Sequence, residues 1–502
     1  MVINNQENDM YITTDMLRKL DFNFQAPCKL MLEDGSILHI NHILRMIPGK
    51  RLVAHAEWQN EQVIAKLFFC KKRAKQHAER EKKGAANLAQ MKIPSAELKK
   101  VLVSHDKKTE SLLFQYLQDA DNLQQVLFAD HVSFDILLPF LKQVIQELAT
   151  QHVLGVMQHD LHFKNFMVST HKVYTLDGAQ LTVFPHKLDK ETSMKHLALF
   201  LSQMGVGFEA MQHQLFTYYV KLRGWLIKKN DVDDLFFMIR EANRKRWQHH
   251  QKKIFRESSQ FAKSAKGAFK GVYDRTRVPK ELRDLIALPE QFFHDPCSQM
   301  LKNGRSSTVI RITLGQCDWV IKRYNIKSGL HRIKRLFSTS RARKSWYHAQ
   351  KLVLFNVNVP YPIAFIDSKQ MGMNSVSYYI CEYVTGTPLS SLHLEKEEPL
   401  LIQNVAALLK QVSLVESTHG DLKASNIIIK NNQAYLIDYD GTKEHSTLSN
   451  LTQHTQQDWQ RFLRNFEAKP AVQRLFAEAL LNNNCMRETD EYARGRNVIR
   501  FE

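Results

Sequence analysis

Short apolar runs bounded by polar turns recur along the 502-residue chain, and two of them carry a lysine at their centre. Val63-Ile-Ala-Lys66-Leu-Phe-Phe and Trp319-Val-Ile-Lys322-Arg-Tyr both read as β-strands. A lysine inside such a strand is costly unless its ammonium meets an anion. A small polar turn precedes each strand, Pro48-Gly49-Lys50-Arg51 in one case and Lys302-Asn303-Gly304-Arg305-Ser306-Ser307-Thr308 in the other. Further along, Phe166–Val168 with Val173–Leu176, and Ile427–Ile429 with Tyr435–Ile437, read as two β-hairpins. Residues 457–466 read as a helix, and Leu330, Ile333, Leu336 and Phe337 fall on one face of another. The longest charge-free apolar stretch, His196 to Phe208, is shorter than the ~20 residues of a spanning helix.

The two hairpins belong to a longer repeat. Asp160-Leu-His-Phe-Lys164-Asn165 precedes the first, which ends at Asp177-Gly178. Asp421-Leu-Lys423-Ala-Ser-Asn426 precedes the second, which ends at Asp438-Tyr-Asp440-Gly441. In both, the Asn follows the first Asp by five positions and the second Asp follows it by seventeen. The copies lie 261 residues apart, the spacing of a duplicated domain rather than a solenoid. Asp, Asn and Asp at neighbouring loop ends predict an oxygen cage for a hard cation.

Composition bounds the chemistry without selecting it. The length suits two to four domains, and the 44% apolar and 24% charged content suits a folded chain. The net charge of +19 favours a polyanionic partner: nucleic acid, a phosphorylated glycan or an acidic membrane. Nucleic acid is disfavoured, because zinc-finger spacing and RNA-recognition strings are lacking. Residues 244–280 hold twelve Lys/Arg against Glu257 and Asp274, which reads as a helical connector. Lys322–Lys344 holds nine Lys/Arg and no acid, and is read either as a core-facing helix or as a surface helix on anionic lipid or phosphorylated glycan. None of the six cysteines forms a CxxC pair, and the N-terminus lacks an apolar signal core. A cytoplasmic chain is expected, with contact at a membrane surface open.

Strand lysine, D-x-x-x-x-N loop and Asp-Gly or Asp-Tyr-Asp-Gly, in that order, resemble the protein-kinase-like fold. The chain is most similar to the bacterial lipopolysaccharide core kinases of the Kdo/heptose kinase, InaA- or WaaP-like family. The likeness rests on Ile47–Val53, Ile64–Phe68, Arg80–Gly84 and His159–Asn165, and on Ser306–Val309, Val320–Asn325, Ser340–Trp346 and His419–Asn426. It implies an α+β fold of two tandem bilobal kinase-like domains, each with a β-rich N-lobe and a helical C-lobe. Their expected spans are 25–250 and 285–502, joined by a basic connector over 251–284.

The same resemblance implies ATP and Mg²⁺ as cofactors and an inner-core lipopolysaccharide sugar hydroxyl as acceptor. The place of action would be the cytoplasmic face of the inner membrane. Lys66 and Lys322 would hold the ATP phosphates, with Gly49, Gly304, Ser306 and Ser307 in the preceding turns. Asp160 and Asp421 would be catalytic, with Lys164 and Lys423 in reach of the γ-phosphate. Asn165 with Asp177, and Asn426 with Asp438, would hold the metal. Glu81 would pair with Lys66, with Glu79 as a rival. No Glu lies between Lys322 and Glu382, so Lys322 needs another partner. No A-P-E motif follows Asp177 or Asp438, and only 64 residues follow Asp438, which favours a glycan over a protein acceptor. A protein or other small-molecule acceptor, or one domain acting only as a nucleotide- or glycan-binding module, is the alternative.

Overall fold

A computed structural model describes residues 10–482, apart from 23, 25, 128–133, 171, 326–338, 371–372 and 395–397. The helix expected around Leu330, Ile333, Leu336 and Phe337 lies outside the described residues. The chain divides into two units of mixed α+β structure, residues 1–203 with 210–238, and residues 204–209 with 239–502.

The first unit opens with a six-stranded antiparallel sheet in the order Cys28–Met31, Ile37–Ile47, Arg51–Trp58, Glu61–Phe68, Glu110–Gln115, Leu98–Val103. Alternation of side chains along a strand decides what each face does. Val63, Ala65 and Leu67 are fully buried in one core. Ile64, Lys66 and Phe68 take the opposite face, where helix Ala74–Gln90 packs. That helix is rich in alanine, a strong helix former, and buries Ala78, Glu81, Gly84 and Leu88 on one stripe. Helices Phe134–Val153, Lys190–Ser202 and Glu209–Leu222 follow, with the short hairpin Phe166–Val168 and Val173–Thr175 set among them.

The second unit carries a seven-stranded antiparallel sheet. Its order is Phe261–Lys266, Phe269–Asp274, Pro362–Gln370, Met373–Glu382, Cys317–Tyr324, Ser307–Leu314, Ser298–Asn303. Ile310, Ile312, Trp319 and Ile321 form its core face, and Lys322 lies out of phase with Ile321. Helix Arg341–Leu354 buries Ala342, Ser345, Trp346, Ala349 and Leu352, and Ser340 caps it by accepting from Arg343 N at 3.0 Å. Helices Pro399–Leu414, Leu448–Leu463 and Pro470–Asn482 complete the unit. The hairpin Ile427–Lys430 and Gln433–Leu436 turns through Asn431 (φ 50°) and Asn432 (φ 60°). Asparagine tolerates the left-handed conformation that a tight hairpin turn demands.

Residues 251–284 are not a connector. They belong to the second unit, where Phe269–Asp274 pairs with Pro362–Gln370, and Ile254, Phe261 and Val272 sit in its core. The lysines conceal this in the sequence: Lys263, Lys266 and Lys270 are all exposed, on strands whose buried residues include Phe261, Ala262, Ser264 and Val272. The boundary between units instead divides helix Lys229–Lys253 after Met238.

Candidate active site

In the first unit, Lys66 reaches across from the sheet to the helix. Its Nζ is ion-paired with Glu81 Oε1 and stands 3.4 Å from Asp177 Oδ1. Glu81 is 2% exposed, whereas Glu79 is solvent-facing and meets Lys82 at 3.8 Å, which decides between the two rivals. Burial pushes the Glu81 carboxyl up, against the pull of Lys66. Burial also works to raise Asp177, but Lys66 and Arg51 outweigh it and hold Asp177 below the usual carboxylate range. Arg51 closes the turn that contains Gly49. Gly49 itself has φ +69°, and its nearest neighbour from the Cβ position is Arg18 O at 3.8 Å.

The loop from Asp160 to Asn165 is tied by its own asparagine. Asn165 Nδ2 donates to Asp160 O at 2.6 Å, and Leu176 N donates to Asn165 O at 2.8 Å. Asp177 follows in the left-handed region, φ 62°. Asn122 Nδ2 supports the loop by donating to Lys164 O at 2.9 Å. Beneath it runs a buried chain of hydrogen bonds. His196 Nε2 meets Gln158 O at 2.7 Å, His152 Nε2 meets His196 Nδ1 at 2.7 Å, and Tyr219 OH meets His152 Nδ1 at 2.6 Å. A carbonyl only accepts, so His196 donates from Nε2. His152 then donates from Nε2 and Tyr219 from its hydroxyl, with both imidazoles neutral. Burial drives His196 down to about 4, in keeping with that assignment.

The second unit repeats the loop bond for bond. Asn426 Nδ2 donates to Asp421 O at 2.9 Å, Ile437 N donates to Asn426 O at 2.9 Å, and Asp438 is again left-handed, φ 70°. Lys322 Nζ contacts Asp438 Oδ1 at 2.5 Å and lies 3.9 Å from Asp440 Oδ1. Burial opposes the ionisation of Asp438, but its interaction with Asp440 and the Lys322 charge prevail and lower its carboxyl. Burial, then the adjoining Asp438, raises Asp440. Asp421 is half-exposed between Lys423 Nζ at 3.0 Å and Arg461 Nη1 at 3.6 Å. His419 Nε2 donates to Ile437 O at 2.9 Å, holding the strand end that delivers Asp438.

Residues 301–482 match the model of the Lipopolysaccharide kinase (Kdo/WaaP) family. The likeness to that family covers this part of the chain. A search of the curated proteins finds no match. The Kdo/WaaP family is one of lipopolysaccharide kinases, so the activity it implies is phosphoryl transfer. Asp421, Lys423, Asn426, Lys322 and Asp438 all fall inside the matched segment, as do Gly304, Ser306 and Ser307.

The Kdo/WaaP segment brings most of its expected residues together. Gly304 and Ser307 close the turn through Gly304 N to Ser307 O at 3.1 Å, and Ser306 O accepts from Arg341 Nη1 at 3.2 Å. Among the described residues no group of three His, Cys, Asp or Glu side chains forms a ready metal cage. The loops supply instead one asparagine and one aspartate each. Such an all-oxygen partial set suits Mg²⁺, which keeps waters and takes phosphate oxygens as further ligands.

Several residues in these sites escape sequence reasoning. Asp458 accepts from His419 N at 2.7 Å and from Gly420 N at 3.1 Å, fixing the loop from the following helix. His196 holds Gln158 O from the corresponding helix of the first unit. Both residues lie 36 or 37 positions after the loop aspartate, a spacing visible once the repeat is aligned. Arg341 and Asp440 are the other pair, and their link bridges 99 residues.

Proposed function

We propose that the chain phosphorylates a sugar hydroxyl of the lipopolysaccharide inner core, using ATP and Mg²⁺, with two tandem kinase-like bilobal units. The observation that carries this reading is the second unit's geometry within the family-matched segment. A strand lysine meets a left-handed aspartate, beside a D-x-x-x-x-N loop closed on itself by Asn426. Lys322 would anchor the nucleotide phosphates as a point charge. Asp421, exposed at the loop tip, would orient the sugar hydroxyl and accept its proton. Lys423 and Arg461 beside it would offset charge on the transferred group. Asn426 and Asp438 would hold Mg²⁺, which supplies neutralisation of phosphate charge when bound. In the first unit the matching roles fall to Lys66 with Glu81, to Asp160 with Lys164, and to Asn165 with Asp177.

The acceptor implies work at the cytoplasmic face of the inner membrane, and the +19 net charge favours an anionic surface there. No helix among the described residues is long and apolar enough to cross a membrane. A second reading for the first unit, nucleotide binding without transfer, is favoured by one contrast. Position 162 is a histidine, where the second unit has Lys423.

Incubation of the full chain with γ-labelled ATP, Mg²⁺ and delipidated core oligosaccharide tests the reading. Label in the glycan supports it. Label in a peptide acceptor and none in the glycan would redirect it to a protein substrate.

A further inference from the structure

The two units hold their strand lysines by different means. Lys66 meets Glu81, supplied by the helix packed on its sheet. Helix Arg341–Leu354 contains no acidic residue, so it offers Lys322 nothing of the kind. Its first residue is Arg341, a cation where an anion would serve. Asp440 resolves the mismatch. One carboxylate oxygen of Asp440 lies 3.9 Å from Lys322 Nζ, and the other accepts from Arg341 Nε at 2.5 Å and is also ion-paired with Nη2. Arg341 Nη1 reaches on to Ser306 O at 3.2 Å, and that carbonyl also accepts from Asn325 N at 3.2 Å. Lys322 and Arg341 both stand over the Tyr324 ring, at 4.9 and 4.5 Å from its centroid.

We propose that Asp440 is the positioning carboxylate of Lys322, taking the part that Glu81 takes for Lys66, and that Arg341 anchors it to the helix and to the 303–307 turn. The inference rests on the reading of Lys322 as a phosphate contact. Two geometric facts favour it over a merely structural ion pair. Lys322's nearest partner, Asp438, is the carboxylate assigned to the metal, so a lysine held by Asp438 alone would share its partner. Asp440 gives Lys322 a second carboxylate whose other oxygen is held from behind by two nitrogens of the Arg341 guanidinium, a charge-assisted contact. The same guanidinium also ties the turn before the lysine strand to the segment after the metal aspartate. The helix thereby joins three parts of the site without contributing an acid.

An acyl-phosphate analogue of ATP, which acylates a lysine amine held at the phosphates, reads this directly. The full chain is labelled, digested and examined by mass spectrometry, so Lys66 and Lys322 are quantified separately in one sample. Asp440→Asn should lower the labelling rate at Lys322 about tenfold, through lost orientation, and leave Lys66 unchanged. Asp440→Glu should restore part of it, which a purely structural role would not require. Arg341→Gln should lower Lys322 labelling too, and the double variant should be no worse than Asp440→Asn alone. If Asp440→Asn does not fold, Arg341→Gln carries the same comparison. Wild-type labelling at Lys322 in these variants overturns the proposal. Absence of labelling at both lysines in the wild type overturns the nucleotide reading itself, and the proposal with it.

Discussion

Gly84 and Gly178 stand so close that neither has room for a side chain. A Cβ on Gly84 would overlap the Gly178 carbonyl and lie 2.8 Å from Ala179 N, and one on Gly178 would lie 2.7 Å from the Gly84 carbonyl carbon. The helix that carries Glu81 is thereby seated on the turn that follows Asp177. Close backbone approach here sets the reach of both carboxylates to Lys66.

Gly84→Ala should therefore act at a distance from its own position. Backbone atoms cannot yield as a flexible side chain can, so the helix must lift. Overpacking of this kind costs about 1–3 kcal/mol. Denaturant melts should show that loss, and acyl-phosphate labelling at Lys66 should fall because Glu81, three residues earlier, moves with the helix. Unchanged labelling would show that the contact does not set the ion pair.

Asp177→Ala removes one of the two side chains proposed to hold the metal in the first unit and one neighbour of Lys66. Mg²⁺-dependent protection of Lys66 from acylation by added ATP should disappear, while Lys322 remains protected. A chelator should abolish protection at both lysines in the wild type. Protection that survives at Lys66 in the variant would remove Asp177 from the metal site.

Asp458→Ala should damage the second loop without touching any reacting group. Its carboxylate accepts the backbone N–H groups of His419 and Gly420, and Asp458 and His419 are buried. An unsatisfied buried donor costs about 1–3 kcal/mol, and the loop that presents Asp421 loses its tether. Transfer dependent on Asp421 should fall at least tenfold, with a lowered unfolding midpoint. A stability loss with full turnover would make Asp458 structural only.

The neutral histidine chain predicts an acid-labile first unit. His196 is held down to about 4 in the fold, against about 6.5 when unfolded, so between these values the unfolded chain binds more protons. Its contribution is complete above pH 6.5 and is lost as pH falls toward 4, by about 1.4 kcal/mol per pH unit. His152 above it, with Arg223 beyond, is depressed by burial in the same direction. His196→Gln keeps a donor for Gln158 O and should flatten the slope of unfolding free energy against pH between 6.5 and 4.5 by about one proton. An identical slope would exclude His196 as a titrating group of the fold.

The parts of the site that were legible in the sequence are those written within about twenty residues. Asp160 to Asp177 and Asp421 to Asp438 each form one loop and hairpin, so spacing alone carries their geometry. The strand lysines could be read because an ammonium in an apolar alternation is anomalous. Partners chosen by packing were hidden. Arg341 and Asp440 meet across 99 residues, and no local pattern announces an arginine in place of a helix glutamate. The hairpin over Phe261–Asp274 was masked by lysines at its exposed positions, where a charge count sees a connector and the fold has a sheet edge. His196 and Asp458 share a place in the repeat but not a residue type, so matching identities does not reveal them.

The most direct test of the account is the mass of core oligosaccharide recovered after reaction with ATP and Mg²⁺, compared between the wild-type chain and a chain carrying both Asp160→Asn and Asp421→Asn. The account predicts phosphoryl addition with the wild type and at least a hundredfold slower addition with the double variant, as loss of both positioned general bases requires. Undiminished addition by Asp421→Asn in a chain that also carries Asp160→Asn, or no addition by the wild type, would contradict it.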